Sequence, residues 1–137
     1  YEINDMVLTV WFRYFYKYRN LIEIKNYSTL ASIIRKDYQT YSGRILERWF
    51  RQSLMESQQY LEIGAWWHPR SGNSENETDN EIDIVTVDLD GEVCAYEVKR
   101  NKKKYSEALL EAKVRDMKKA TFGQVEIKTA CLSLEDM

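Results

Sequence analysis

The sequence predicts an α/β domain: a mixed central sheet flanked by helices in the order α-β-β-β-α-β, preceded by two N-terminal helices. Three observations carry this. Apolar residues recur at helical spacing through the first 60 positions; residues 82–99 read as two apolar strands joined by "DLDGE"; and an amphipathic stretch at 106–120 separates that hairpin from a last strand-like run, "GQVEIKTACLSL". A strand that returns after a crossover helix usually lies parallel in the same sheet, so the sheet should be mixed. With 137 residues, 44% of them hydrophobic and 13% aromatic, the chain can bury a core without staples.

The first helix is expected from Asn4 to about Tyr18, with Met6, Val7, Val10, Trp11, Tyr14, Phe15 and Tyr18 on one face and Asp5 or Asn4 as its cap. Its aromatic run "WFRYFYKY" fits core packing, covering of a neighbouring domain, or stacking of nucleic-acid bases. A second helix should start at Ser28 and run through Leu30, Ile33, Ile34 and Tyr38. A third, near Ser42 to Tyr60, carries Ile45, Leu46, Trp49 and Phe50 on one face, with Glu47 at the border of the stripe. "LEIGAWWHP" reads as a turn and a short strand, ended by Pro69 and a polar loop from Arg70 to Asn80 that is expected to be mobile. Strands follow at Ile82–Leu89 and Val93–Lys99, joined by the hairpin signal Asp90-Gly91. After a basic linker comes the helix at 106–120, with Leu110, Val114 and Met117 inward. The organisation expected is therefore an N-terminal helical segment, residues 1–40, packed on a core of residues 41–137.

Net charge is −2, but it is unevenly spread: residues 71–97 hold nine acids and no Lys or Arg, and residues 98–120 hold nine basic residues against three acids. An acidic block beside a basic one suits a metal site next to a phosphate-binding ridge, and equally suits solvated loops and helix faces. Cys94 and Cys131 lie in apolar strand-like runs without metal-ligand spacing and read as buried thiols. The longest apolar stretches are far shorter than the roughly 20 residues of a bilayer crossing, and no signal peptide opens the chain, so the expected location is cytoplasmic. The first residues, "YEINDM", lack an initiator Met, as in a fragment of a longer polypeptide.

The hairpin carries charges where core logic would put hydrocarbon. Side chains alternate along a strand, so Glu97 and Lys99 share a face, and the thirteen residues between Asp83 and Glu97 suffice for a strand, a turn and the return. Two carboxylates brought side by side repel unless a cation neutralises them, and hard oxygens holding part of a coordination shell suit Mg²⁺ or Mn²⁺. Such a site can hydrolyse phosphodiesters, with Asp83 and Glu97 as ligands and Lys99 orienting water or stabilising the transition state.

"EIDIV" followed by "YEVKRN" resembles the D…ExK core of PD-(D/E)XK nucleases, and "GRILERWF" resembles the preceding helix of archaeal resolvase-like and restriction-endonuclease-like members, where Glu47 would be an additional acidic ligand. Over nearly the whole chain, "DMVLTVWFRYFYKYRNLIE", "YSGRILERWFRQSL", "IGAWWHP", "NEIDIV" and "YEVKRN" resemble the C-terminal domain of prokaryotic AAA-type, DEXX-box ATPases. These resemblances imply a restriction-endonuclease-like core with Glu47, Asp83, Glu97 and Lys99 catalytic and the three carboxylates on Mg²⁺ or Mn²⁺. They also imply DNA as substrate and a P-loop ATPase domain in the same polypeptide. The sequence itself has no G-x-x-x-x-G-K-[ST], so this chain is expected to bind no nucleotide. Arg100, Lys102, Lys103 and Lys104 would grip flanking phosphates.

Plainer readings stand beside these. Glu47 can pair with Arg51 at i+4, Asp83 and Glu97 can be charges that protect sheet edges, and Lys99 can simply pair with Glu97. The basic segment can be a solvated linker, Lys118 and Lys119 can complement a helix C-terminus, and His68, the sole histidine, reads as a loop-edge residue. On the functional level the alternative is a nuclease-fold domain that binds nucleic acid or regulates its ATPase without cutting.

Overall fold

The computed structural model describes residues 5–67, 81–123 and 125–137; His68 and the loop from Arg70 to Asn80 lie outside them. The chain divides into two compact units, Tyr1–Ser42 and Gly43–Met137. The first unit holds α1 (Met6–Val10), a π-helical continuation at Trp11–Tyr16, α2 (Arg19–Glu23) and the first part of α3 (Tyr27–Glu56). Asp5 caps α1, its Oδ1 accepting from the Leu8 N–H at 2.9 Å. Lys25, at φ 60°, closes α2 in the left-handed region, with the Asn26 N–H bonded to the Leu21 carbonyl.

Two expectations for this unit change. Of the predicted inward stripe only Tyr14 is buried; Met6, Val7 and Trp11 are exposed, because the wider π-helical turn breaks the 3.6-residue period that would align them. The second and third helices are one helix of 30 residues. Ser42 does not cap anything: its Oγ donates back to the Tyr38 carbonyl at 2.5 Å, inside the helix, and Gly43 costs such a helix only about 1 kcal/mol. The N-terminal cap is Asn26, not Ser28: Asn26 Oδ1 accepts from the Thr29 N–H, and Ser28 Oγ donates to the same oxygen. The unit's centre is a clamp in which Arg13 donates to both oxygens of Asp37 at 2.6 and 2.7 Å. The Tyr14 hydroxyl donates to Asp37 Oδ2, and Tyr41 meets Tyr14 edge-on. Burial and the Asp37 hydrogen bond push the Tyr14 phenol up to about 12.

The second unit is a four-stranded sheet in the order β1-β2-β3-β4, with β1 (Tyr60–Trp67), β2 (Glu81–Asp88), β3 (Val93–Lys99) and β4 (Ile127–Ser133). The first three strands are antiparallel and β4 returns parallel beside β3, after α4 (Glu107–Met117). β1 is eight residues, longer than the short strand expected, because α3 stops at Glu56 and Gln58 turns the chain at φ 55°. The β2–β3 turn forms around Asp88, whose Oδ1 accepts from the Asp90 and Glu92 N–H groups while Gly91 takes φ 82°.

Two helices cover opposite faces. Leu46 and Phe50 of α3 bury Ile84 and Val98, with Trp49, Ile63 and Leu132 packed around them. Leu110, Val114 and Met117 of α4 bury Ile82, Val85, Val93, Ala95 and Ile127. The inward stripe read for the last helix is thus the one that packs, and the result is a mixed sheet flanked by helices. Among the described residues no helix is long and apolar enough to cross a membrane.

Candidate active site

The pairing of β1 with β2 slips twice, first between Tyr60 and Glu62 and again where the site forms. Gly64 lies opposite Val85 and Trp66 opposite Ile82, so one residue of β1, Ala65, faces two of β2, Asp83 and Ile84. That is a β-bulge, a device that re-aims a side chain. On the other side of β2, the register with β3 runs as far as Ile84 opposite Tyr96, and Asp83 is the next residue along β2 as Glu97 is along β3. There the Asp83 carboxylate replaces a ladder acceptor, with Oδ2 taking the Val98 N–H at 2.7 Å. Arg51 of α3 holds the same bulge from behind, its Nη2 donating to the Asp83 main-chain carbonyl at 2.9 Å while its buried Nε has no partner.

Glu97 is buried, with 9% of its surface exposed, near the end of β3. Lys99, two residues on, donates to its Oε1 at 2.6 Å. Lys113, from α4, donates to Oε2 at 3.0 Å and to Oε1 at 3.3 Å, and only 13% of its side chain is exposed. Lys113 was not among the residues singled out from sequence. It follows Leu110 by one helical turn and precedes Val114, so its only signal was a lysine bordering an inward stripe.

The charges interact. Burial pushes the Asp83 carboxyl above the usual range, and the Glu97 charge adds to this, against the Val98 hydrogen bond and the two lysines. Glu47, half-buried on α3, is raised by burial and then by Asp83 and Glu81. Burial lowers Lys99, but its hydrogen bond to Glu97 and the fields of Glu97, Asp83 and Glu47 outweigh that, so its pKa is raised. Glu47, Asp83, Glu97 and Lys99 therefore share one electrostatic neighbourhood. Arg51, read as a partner for Glu47, acts on it through its charge and gives its Nη2 hydrogen bond to the Asp83 carbonyl.

One of the plainer readings is decided by topology. β2 and β3 are the interior strands, so Asp83 and Glu97 protect no sheet edge. The basic segment is exposed, as a solvated linker would be, and ordered: Lys102–Lys104 form a 3-10 turn capped by Asn101, whose Oδ1 accepts from the Lys103 N–H. Lys102 lies 3.7 Å from Asp136, and Lys104 joins Glu97, Lys99, Ser106, Leu109 and Lys113 around a cleft of about 270 Å³. Cys94 and Cys131 are free thiols, raised by burial. Lys119 pairs with Asp116.

Among the described residues no three acidic, histidine or cysteine side chains stand close enough to hold a metal together. The two-carboxylate set of Asp83 and Glu97 could suit a hard cation that keeps most of its own water, because Asp83 spends one oxygen on Val98 and the partners of Glu97 are ammonium groups that a cation could displace.

A family model describing archaeal and bacterial proteins of unknown function matches residues 11–125. No curated protein and no solved structure matches the chain.

Proposed function

Since the chain belongs to the DUF234 family, and that membership names no activity, we propose one from the geometry: a metal-dependent, PD-(D/E)XK-type nuclease domain that hydrolyses DNA phosphodiesters. The observation that carries it is Asp83 at a bulge of β2, its carboxylate bonded to the Val98 N–H next to Glu97, with Lys99 bonded to Glu97. The order of elements supports a restriction-endonuclease-like core, with an antiparallel β1-β2-β3 set, α4 as crossover, and β4 parallel to β3.

Asp83 and Glu97 would hold Mg²⁺ or Mn²⁺, with Glu47 in reach of their field. An ion there would polarise the scissile phosphate and lower the pKa of an attacking water. Lys99, kept cationic by its acidic neighbours, suits stabilisation of the charge that develops in the transition state better than proton abstraction. Lys104 lines the cleft beside them, and Arg100, Lys102 and Lys103 follow on the same segment, where they would take flanking phosphates. The resemblance of the chain to ATPase C-terminal domains supports reading it as one module of a larger DEXX-box ATPase.

A second reading is favoured by one feature: Glu97 is already neutralised by two lysines, as in a nuclease-fold domain that binds nucleic acid or regulates its ATPase without cutting. A Mn²⁺ titration by calorimetry, comparing wild type with Asp83→Ala, tests the metal site, and incubation of DNA with Mg²⁺ or Mn²⁺ tests cleavage. Metal binding that Asp83→Ala abolishes, together with DNA hydrolysis, supports the nuclease. DNA binding without hydrolysis in either ion, also in the full-length protein with ATP, transfers the case to the second reading.

A further inference from the structure

Lys113 occupies both oxygens of the carboxylate that the proposed metal site needs, and it does so from a different element than the hairpin. Lys99 alone would give Glu97 a cationic partner, bonded at 2.6 Å to Oε1. The second ammonium is therefore surplus to what the buried glutamate requires, and Lys113 is itself almost as buried as Glu97, with 13% and 11% of the side chains exposed. Burying a second long, rotamer-rich lysine at the same carboxylate is costly in desolvation and side-chain entropy. Beside it opens the cleft whose wall holds Lys104 and Ser106, and which is large enough for a phosphate group.

We propose that Lys113 is an exchangeable counter-ion of Glu97: it holds the carboxylate when no metal is bound, and when a divalent cation takes Glu97 its ammonium turns into the cleft and binds a phosphodiester oxygen of the nucleic acid. The inference rests on the reading of Asp83 and Glu97 as metal ligands. It assigns Lys113 a specificity for the metal-loaded, phosphate-bearing state, because the same ammonium cannot serve Glu97 and a phosphate at once. Metal and nucleic acid then bind with positive coupling, each favouring the arrangement the other needs. No bond is made or broken in this exchange; one ion pair replaces another.

The test uses the whole chain and calorimetric titration with Mn²⁺ alone, on wild type, K113M, K113R and D83A. Removing a cation that competes for Glu97, at this degree of burial, should tighten Mn²⁺ binding in K113M by roughly ten-fold or more. K113R, which restores the charge, should return toward wild type. Anisotropy of a labelled DNA duplex, with and without Ca²⁺, reads the second half: Ca²⁺ should raise DNA affinity in wild type and much less in K113M. Folding of the variants is checked by circular dichroism, and K113Q replaces K113M if the latter fails to fold. Equal or weaker Mn²⁺ binding in both neutral variants, with D83A still abolishing it, overturns the exchange and leaves the metal site standing. If D83A binds Mn²⁺ as wild type does, the metal reading falls and the exchange with it.

Discussion

Replacing Asp83 by asparagine removes a charge and keeps the oxygen that accepts the Val98 N–H, now made at 2.7 Å. The wild-type carboxyl is raised, by burial first and by Glu97 next, so the folded protein binds that proton more tightly than the unfolded chain. The sign follows from linkage: stability falls as pH rises from the unfolded carboxyl value, about 3.9, through the raised folded value, and the full penalty is present above it. D83N escapes that penalty. At pH 7.5 without metal it should be more stable than wild type by roughly 0.5–2 kcal/mol, the range typical of relieving a functional site. The advantage should vanish near pH 3, where the wild-type carboxyl is neutral and nearly isosteric with the amide. Divalent metal reverses the order, because an ion at one hundred times its dissociation constant adds about 2.7 kcal/mol to the wild type and little to the variant. Urea midpoints at pH 3 and 7.5, with and without Mn²⁺, give all four comparisons. A D83N protein less stable than wild type at pH 7.5 without metal, or an advantage undiminished at pH 3, would refute the electrostatic account of this site.

Lys99→Ala should keep Mn²⁺ binding at least as tight as in the wild type, since it removes a cation paired with Glu97 and no ligand, while lowering the cleavage rate by roughly 10²–10³-fold in a duplex-nicking assay. Lys104→Ala should reduce the slope of log affinity for DNA against log salt by about 0.9, and Lys102→Ala by less, because Lys102 faces Asp136 at 3.7 Å; salt titrations by anisotropy measure both. Leu110→Ala, at a position 1% exposed beneath α4, should cost about 2–5 kcal/mol in urea unfolding; a loss below 1 kcal/mol would mean that α4 does not seal the face of the sheet.

What could be read in advance was what local pattern controls. Apolar runs and the Asp90-Gly91 turn gave β2 and β3, the spacing of Leu110, Val114 and Met117 gave the inward face of α4, and the crossover implied a parallel β4. The pairing of Glu97 with Lys99 was implicit in a two-residue step along a strand. Features set by other elements were not legible. The bulge at Asp83 and Ile84 exists only in the register against β1, where Ala65 meets both. Lys113 reaches Glu97 because α4 crosses that strand end, which no spacing within the helix encodes. The continuity of α3 through Ser42 and Gly43 was misread because those residues end a helix only when a competing cap or turn is present, and here Ser42 bonds within the helix.

The three carboxylates of this neighbourhood are not equivalent, and their differences divide the work among them. Glu97 has its charge met twice over by ammonium groups, so an arriving cation gains there only by displacing one of them. Asp83 has one main-chain N–H bonded to it, with Lys99 and Lys113 acting on it only through their fields, and is raised by burial and by its neighbour, so it is the less fully met charge of the pair. Glu47, raised by burial and by Asp83 and Glu81, adds to the negative field while standing off on α3. On the proposed reading, a divalent ion would be drawn first by Asp83 and held only if Glu97 exchanged an ammonium for it. In a sheet whose interior strands carry these charges, the cost falls on stability, and on the proposed reading the gain would come with a bound ligand. That is the pattern expected where binding, and not folding, sets which residues are kept charged.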